Sequence, residues 1–176
     1  MTKTSKLNLA VAGALIIIGV SLRLLPHPAN FAPITAIALF GGAVLPRRYG
    51  LWVPLAAMVV SDWFIGFHSL ILVTWGCYLL IALAASRWMN NLRNGVLLIL
   101  GSSVFFFSVT NFAVWATSGM YARTWSGLIE CYTLALPFFR NSLLSDVFYT
   151  AVLFGAFALA TRLSHKVLKA YRPSGV

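Results

Sequence analysis

An all-α integral membrane protein of about six transmembrane helices is the fold class this sequence predicts, and three observations carry it. First, 60% of the 176 residues are hydrophobic and only 9% are charged, with a mean hydropathy of +0.88. A soluble core cannot hide that much apolar surface, so the bilayer is the expected solvent. Second, apolar runs near the ~20-residue length needed to cross a hydrocarbon core recur along the chain. Third, Lys and Arg lie in the short segments between those runs and at the two ends, which is the distribution that membrane topology demands. The net charge of +10 therefore reads as topology, and nucleic acid is not an expected partner.

The expected spans, taken in order, are residues 7–25, 32–45, 51–67, 70–86, 96–117 and 143–161, within one transmembrane domain covering 1–176. The first is too long for the core of a signal peptide and lacks a small-residue cleavage site, so it counts as a span. The apolar part of the second begins only at Ile34 and is short for a hydrocarbon core about 30 Å thick, which makes part of its start irregular. The third contains Pro54, where a kink is expected. With the N-terminus inside, Lys3, Lys6, Arg47, Arg48, Arg87, Arg93, Arg162, Lys166, Lys169 and Arg172 fall on the cytoplasmic side, against Arg23, Arg123 and Arg140 outside. Both termini are then cytoplasmic, and the expected location is a membrane that the chain crosses several times.

Polar chemistry collects on the outer side. "PHPANFAP", residues 26–33, joins the first two spans and brings His27 and Asn30 with it. Asp62 and Asp146, in "SDWF" and "SDVF", lie at similar depth, about one helical turn into the membrane. His68, Asn111, Trp115 and Arg140 map to the same side. A charged group at depth is expensive, so each Asp either faces a wet cavity or pairs with Arg23 or Arg140 to pin the bundle. Residues 118–142 form a long outer connection, rich in aromatics and in part apolar, expected to lie as a lid over the cavity or as an interfacial helix.

Two cysteines, Cys77 and Cys131, have no metal-type spacing. Each reads first as a small buried hydrophobe. Cys77 lies ~10 Å along the fourth run, beside Trp75 and Tyr78, at a depth from which it can face the same cavity. Zincin, nucleophile-elbow and phosphate-loop motifs are absent, and a pair of intramembrane Asp residues without supporting groups does not specify hydrolysis, so no enzyme is expected.

"RLLPHPANFAPITAIALFGGA", "SDWFIGFHS", "TNFAVW" and "CYTLALPFFRNSLLSDVFYTAVLFG" resemble the motif blocks of a family of small, largely uncharacterised bacterial membrane proteins, and together they cover most of the chain. That family is similar in turn to the substrate-binding S components of energy-coupling factor (ECF) transporters. The resemblance implies a six-helix protein that binds a vitamin or related micronutrient near the outer face. Such a protein works with an ECF transmembrane partner and two ATPases, or alone. It also implies partner docking through small residues on the first helix, where Ala10 and Ala14 have the spacing, although close packing within the bundle would use the same residues. Solitary relatives that handle cobalamin make Cys77 a candidate ligand to a cobalt corrinoid, a soft centre that suits a thiolate.

The function expected is therefore substrate binding for nutrient uptake, with His27, Asn30, Asp62, His68, Cys77, Tyr78, Asn111, Trp115, Arg140 and Asp146 as candidate substrate-binding residues and cobalamin as a possible transported ligand. An ion- or proton-coupled small carrier and a structural or regulatory membrane protein are the alternatives. Reporter fusions test the topology: those after Arg48, after Arg93 and at Val176 should read cytoplasmic, and those at Gly66 and Arg123 external. A cytoplasmic signal at Arg123 would break the six-span arrangement.

Overall fold

The computed structural model describes residues 3–170, and the side chains of residues 4–163; among them every regular element is helical. The helices are α1 (Lys3–Leu24), α2 (Ile34–Val44), the single turn α3 (Arg47–Gly50), α4 (Trp52–Ile65), α5 (Ile71–Trp88), α6 (Leu92–Thr117) and α7 (Trp125–Ala170). Four stretches are long and apolar enough to cross a membrane: Thr4–Leu24, Ile71–Trp88, Leu92–Thr117 and Trp125–Leu163. Short connections reverse the chain between helices, so the turns after α1, α4 and α6 share one end, here the His27 end. The turns after α2 and α5 share the opposite, Arg47 end.

The second and third apolar runs form shorter helices. The 11 residues of α2 rise about 16 Å and the 14 of α4 about 21 Å, well under a hydrocarbon core of about 30 Å. For α2 the packing explains the shortness. It touches every other helix, and Ile34 through Gly42 are all buried. A helix apolar on all sides belongs in the middle of a bundle, and Ala36, Ala38, Gly41 and Gly42 let its neighbours come close. On one side Ile37 and Phe40 join Ala12, Leu15 and Val53 of α1 and α4, with Phe40 edge-on to Phe154 and Phe157 of α7 at 5.1 and 5.7 Å. On the other side Ala38 and Leu39 pack with Ile81, Ala82 and Ala85 of α5.

The outward surface is the apolar one. Ile17, Phe64, Leu72 and Phe148 are exposed, as are Trp52 and Trp88 near the Arg47 end and Trp63 and Trp125 near the His27 end. Large apolar groups outside, with Trp at both helix ends, match a protein that meets lipid along its sides and headgroups at its rims.

Two sequence expectations change. Pro54 makes no mid-helix kink, because α4 begins at Trp52 and Pro54 falls in the first turn, where its missing N–H has no partner to lose. The outer segment 118–142 is not separate from the sixth span: after a turn at 118–124, Trp125 starts a helix that runs through Pro137 without interruption into the sixth apolar run. The Thr124 hydroxyl caps that start by accepting from the Gly127 N–H at 3.2 Å. Contacts to α6 hold the stretch in place: the Tyr132 hydroxyl donates to the Ser108 carbonyl at 2.6 Å, the Cys131 thiol to that of Asn111 at 3.5 Å, and Phe107 packs against both Tyr132 and Phe139.

Gly42 marks the tightest approach of α2 to α5: a Cβ built there would sit 2.2 Å from the Ala82 carbonyl oxygen and 3.1 Å from the Ala85 Cβ. Backbone cannot move aside as a side chain would, so Gly42→Ala should cost about 1–3 kcal/mol and lower the unfolding temperature in detergent. Gly13→Ala, where a Cβ meets nothing within 4 Å, should leave it unchanged. Equal shifts in the two variants would mean that α2 is not clamped as described.

Candidate functional site

The His27 end of the bundle encloses an open cavity of about 370 Å³, near the lower limit for small-molecule sites. Its wall draws on every helix of more than one turn: Arg23 from α1, Ile34 and Thr35 from α2, Met58 from α4, Thr74 and Tyr78 from α5, Ser103, Phe106, Phe107, Thr110 and Asn111 from α6, and Ala135, Phe138, Phe139, Ser142 and Asp146 from α7. A larger hollow of about 580 Å³ lies between α6 and α7 at the Arg47 end, but its lining, which includes Val96, Ile99, Val147 and Phe154, has no charged side chain. Chemistry therefore favours the smaller cavity.

The loop at 25–33 forms its rim. Asn30 takes a left-handed backbone (φ 61°), a conformation that Asn tolerates better than most residues, and the Phe31 N–H closes a turn onto the Pro28 carbonyl at 2.9 Å. Two α7 side chains fasten the loop: Asn141 Nδ2 donates to the Ala29 carbonyl at 3.0 Å and the Ser145 hydroxyl to that of Ala32 at 2.9 Å. Phe31 packs on Phe148 and Tyr149 from the same helix. His27 and Asn30 thus reach the cavity from a fixed rim. His68 reaches it from the α4–α5 turn, where its Nδ1 accepts the Leu70 N–H at 3.3 Å.

The two carboxylates differ sharply. Asp62 is fully buried; its Oδ1 accepts from Arg23 Nη1 at 2.8 Å and its Oδ2 from Trp75 Nε1 at 2.9 Å. The same Arg23 nitrogen also lies 2.5 Å from the Ser61 hydroxyl and 3.0 Å from the Met58 sulfur. One acid thus ties α1, α4 and α5 together. Asp146 is 3% exposed and has no ion pair; among the described residues the ion pair present is Arg23 with Asp62. Its Oδ2 accepts the Ser103 hydroxyl at 2.6 Å, and Thr35 reaches the same carboxyl group. Tyr78 lines the same cavity as Asp146, with its ring stacked on Phe106 at 4.9 Å.

A family model matches residues 3–169, nearly the whole chain. The chain belongs to the family of unknown function DUF6580. No curated protein and no solved structure matches it.

In this family member the cavity gathers six of the ten candidate residues: His27, Asn30, His68, Tyr78, Asn111 and Asp146. Four stand elsewhere. Asp62 is sealed behind Arg23, which takes its place in the wall. Cys77 is 2% exposed and outside the lining, because its neighbour Tyr78 occupies the inward position. Trp115 donates its indole N–H to the Ala122 carbonyl at 3.0 Å, fixing the α6–α7 turn, and Arg140 is exposed on α7, away from the cavity. Ala10 and Ala14 lie on the exposed face of α1, while Ala12, Leu15 and Gly19 face inward. Sequence reasoning passed over Thr35 and Ser103, the hydroxyls at Asp146, although a small polar residue inside an apolar run is the available sign that a buried acid needs donors.

Unequal pairing predicts unequal stability. Asp62→Asn keeps the shape but leaves the Arg23 charge uncompensated, and it should cost roughly 2–3 kcal/mol, below the 3–5 of a fully buried pair because the guanidinium keeps some contact with water. Asp146→Asn still accepts from Ser103 and should stay within about 1 kcal/mol of wild type. Reversible unfolding in mixed micelles measures both; similar losses would contradict the asymmetry.

Proposed function

We propose that this protein is a membrane-embedded binding component for uptake of a small polar nutrient, in the manner of an S component of an ECF transporter. The observation that carries the reading is the polar cavity at the His27 end, which holds a buried carboxylate, an arginine edge, two histidines and several hydroxyls in an otherwise apolar bundle. Helix bundles place small-molecule sites in such interhelical clefts. The Lys and Arg distribution puts that end on the outside, with both termini cytoplasmic, six passes and a bacterial inner membrane as the setting. The short α2 and α4 count among the six because α2 is surrounded by protein and need not match the lipid thickness.

The size and walls of the cavity favour a ligand smaller than a corrinoid. Cobalt ligation would need the Cys77 thiol, which is buried outside the lining, so the cavity offers cobalamin no thiolate. The exposed Ala10 and Ala14 face of α1 is where a transmembrane partner, with or without ATPases, would find a close-packing stripe. A proton- or ion-coupled carrier is the second reading, and it draws on the unpaired Asp146.

A thermal-shift screen of the purified protein against water-soluble vitamins, their precursors and divalent metals tests the proposal. At least one compound should raise the unfolding temperature in a dose-dependent way. Thr110→Trp, which fills the cavity from α6, should abolish that rise while leaving the ligand-free protein folded. Absence of any shift, or a shift that survives the plug, would overturn the reading.

A further inference from the structure

We propose that the cavity takes a small organic cation, a protonated amine, whose charge pairs with Asp146. The inference rests on the solute-binding reading above and supplies its substrate class. It begins from the charge inventory of the wall. The ionisable groups there are Arg23, His27, His68, Tyr78 and Asp146, and the Arg23 charge is already met by Asp62 at 2.8 Å. The remaining carboxylate is 3% exposed, lines the cavity, and faces hydroxyl groups of Ser103 and Thr35 in place of a cation. A buried carboxylate is costly unless a cation meets it. The free volume beside Asp146 is where that cation fits.

The rest of the wall separates an organic cation from a bare metal ion. Among the described residues no three His, Cys, Asp or Glu side chains come together as a metal would require. Five aromatic rings, those of Tyr78, Phe106, Phe107, Phe138 and Phe139, line the same space. Aromatic faces attract ammonium groups and pack the carbon skeleton that carries them. The Thr110 and Asn111 side chains bond back to the Phe106 and Phe107 carbonyls at 2.7 and 2.8 Å, so these polar groups of the wall are satisfied within α6. A buried carboxylate and aromatic rings in one cavity wall are the chemistry that recognises an amine.

Three probes of nearly equal shape and different charge test it on the full-length protein in detergent: benzylammonium, benzyl alcohol and benzoate, followed by isothermal titration. Benzylammonium should bind at least about tenfold more tightly than benzyl alcohol, and benzoate should not bind. Asp146→Asn should bring the first two affinities together, and Asp146→Glu, which keeps the charge, should preserve part of the preference. The wild-type comparison stands by itself if the Asn variant does not fold. Equal binding of the alcohol, tighter binding of the benzoate, no binding of any probe, or a preference that survives Asp146→Asn would overturn the proposal. If a neutral or anionic compound binds and is blocked by Thr110→Trp but not by Asp146→Asn, the solute-binding reading stands and the cation falls. If neither these probes nor the nutrient panel binds, both fall.

Discussion

Arg23 meets Asp62 at 2.8 Å inside an apolar bundle, and much of the molecule's organisation follows from that contact. An isolated charge in hydrocarbon is costly, so the pair must form inside the protein and its supporting groups must be in place around it. Trp75 and Ser61 supply them. The consequence is mechanical: the His27 end of α1, the end of α4 and the start of α5 are drawn to one point. α2, too short to reach across a bilayer on its own, lies behind that point with every other helix around it.

Because Arg23 is committed to Asp62, Asp146 is left without a cation. The two acids come from near-identical tetrapeptides, yet one acts as a clamp and the other stands at a cavity wall lined with hydroxyls and aromatic rings. The asymmetry is what gives the cavity a charge of its own. Had Arg23 been shared between them, the same net charge would be spread over both acids and not centred on Asp146.

The α6–α7 pair encloses the other side. Pro137 lies in the interior of α7, where a proline removes a backbone bond and normally ends or bends a soluble helix. Here Tyr132, Cys131 and Phe139 attach the stretch to α6, and the helix continues down to Asn141 and Ser145, which fasten the "PHPANFAP" rim. Rim, aromatic wall and buried carboxylate are therefore supported by one long element. That arrangement holds the cavity wall in shape.

The helical class was legible in the sequence because hydropathy and the period of apolar runs depend only on local composition; the body of each of the six runs falls in helix. Clustering of polar residues toward one end was legible for the same reason, since helix length fixes depth: His27, Asn30, His68, Tyr78, Asn111 and Asp146 do share a cavity. Rotation about each helix axis was not legible. A step of one residue turns a side chain by about 100°, which exchanges Tyr78 for Cys77 and conceals Asp62 behind Arg23. Whether 118–142 would be lid or helix, and whether Asp62 or Asp146 would take the arginine, depended on contacts between residues tens of positions apart, such as Arg23 with Asp62 and Ser103 with Asp146. Local sequence fixes which groups reach a given depth in the membrane; only the packed bundle decides which of them meet.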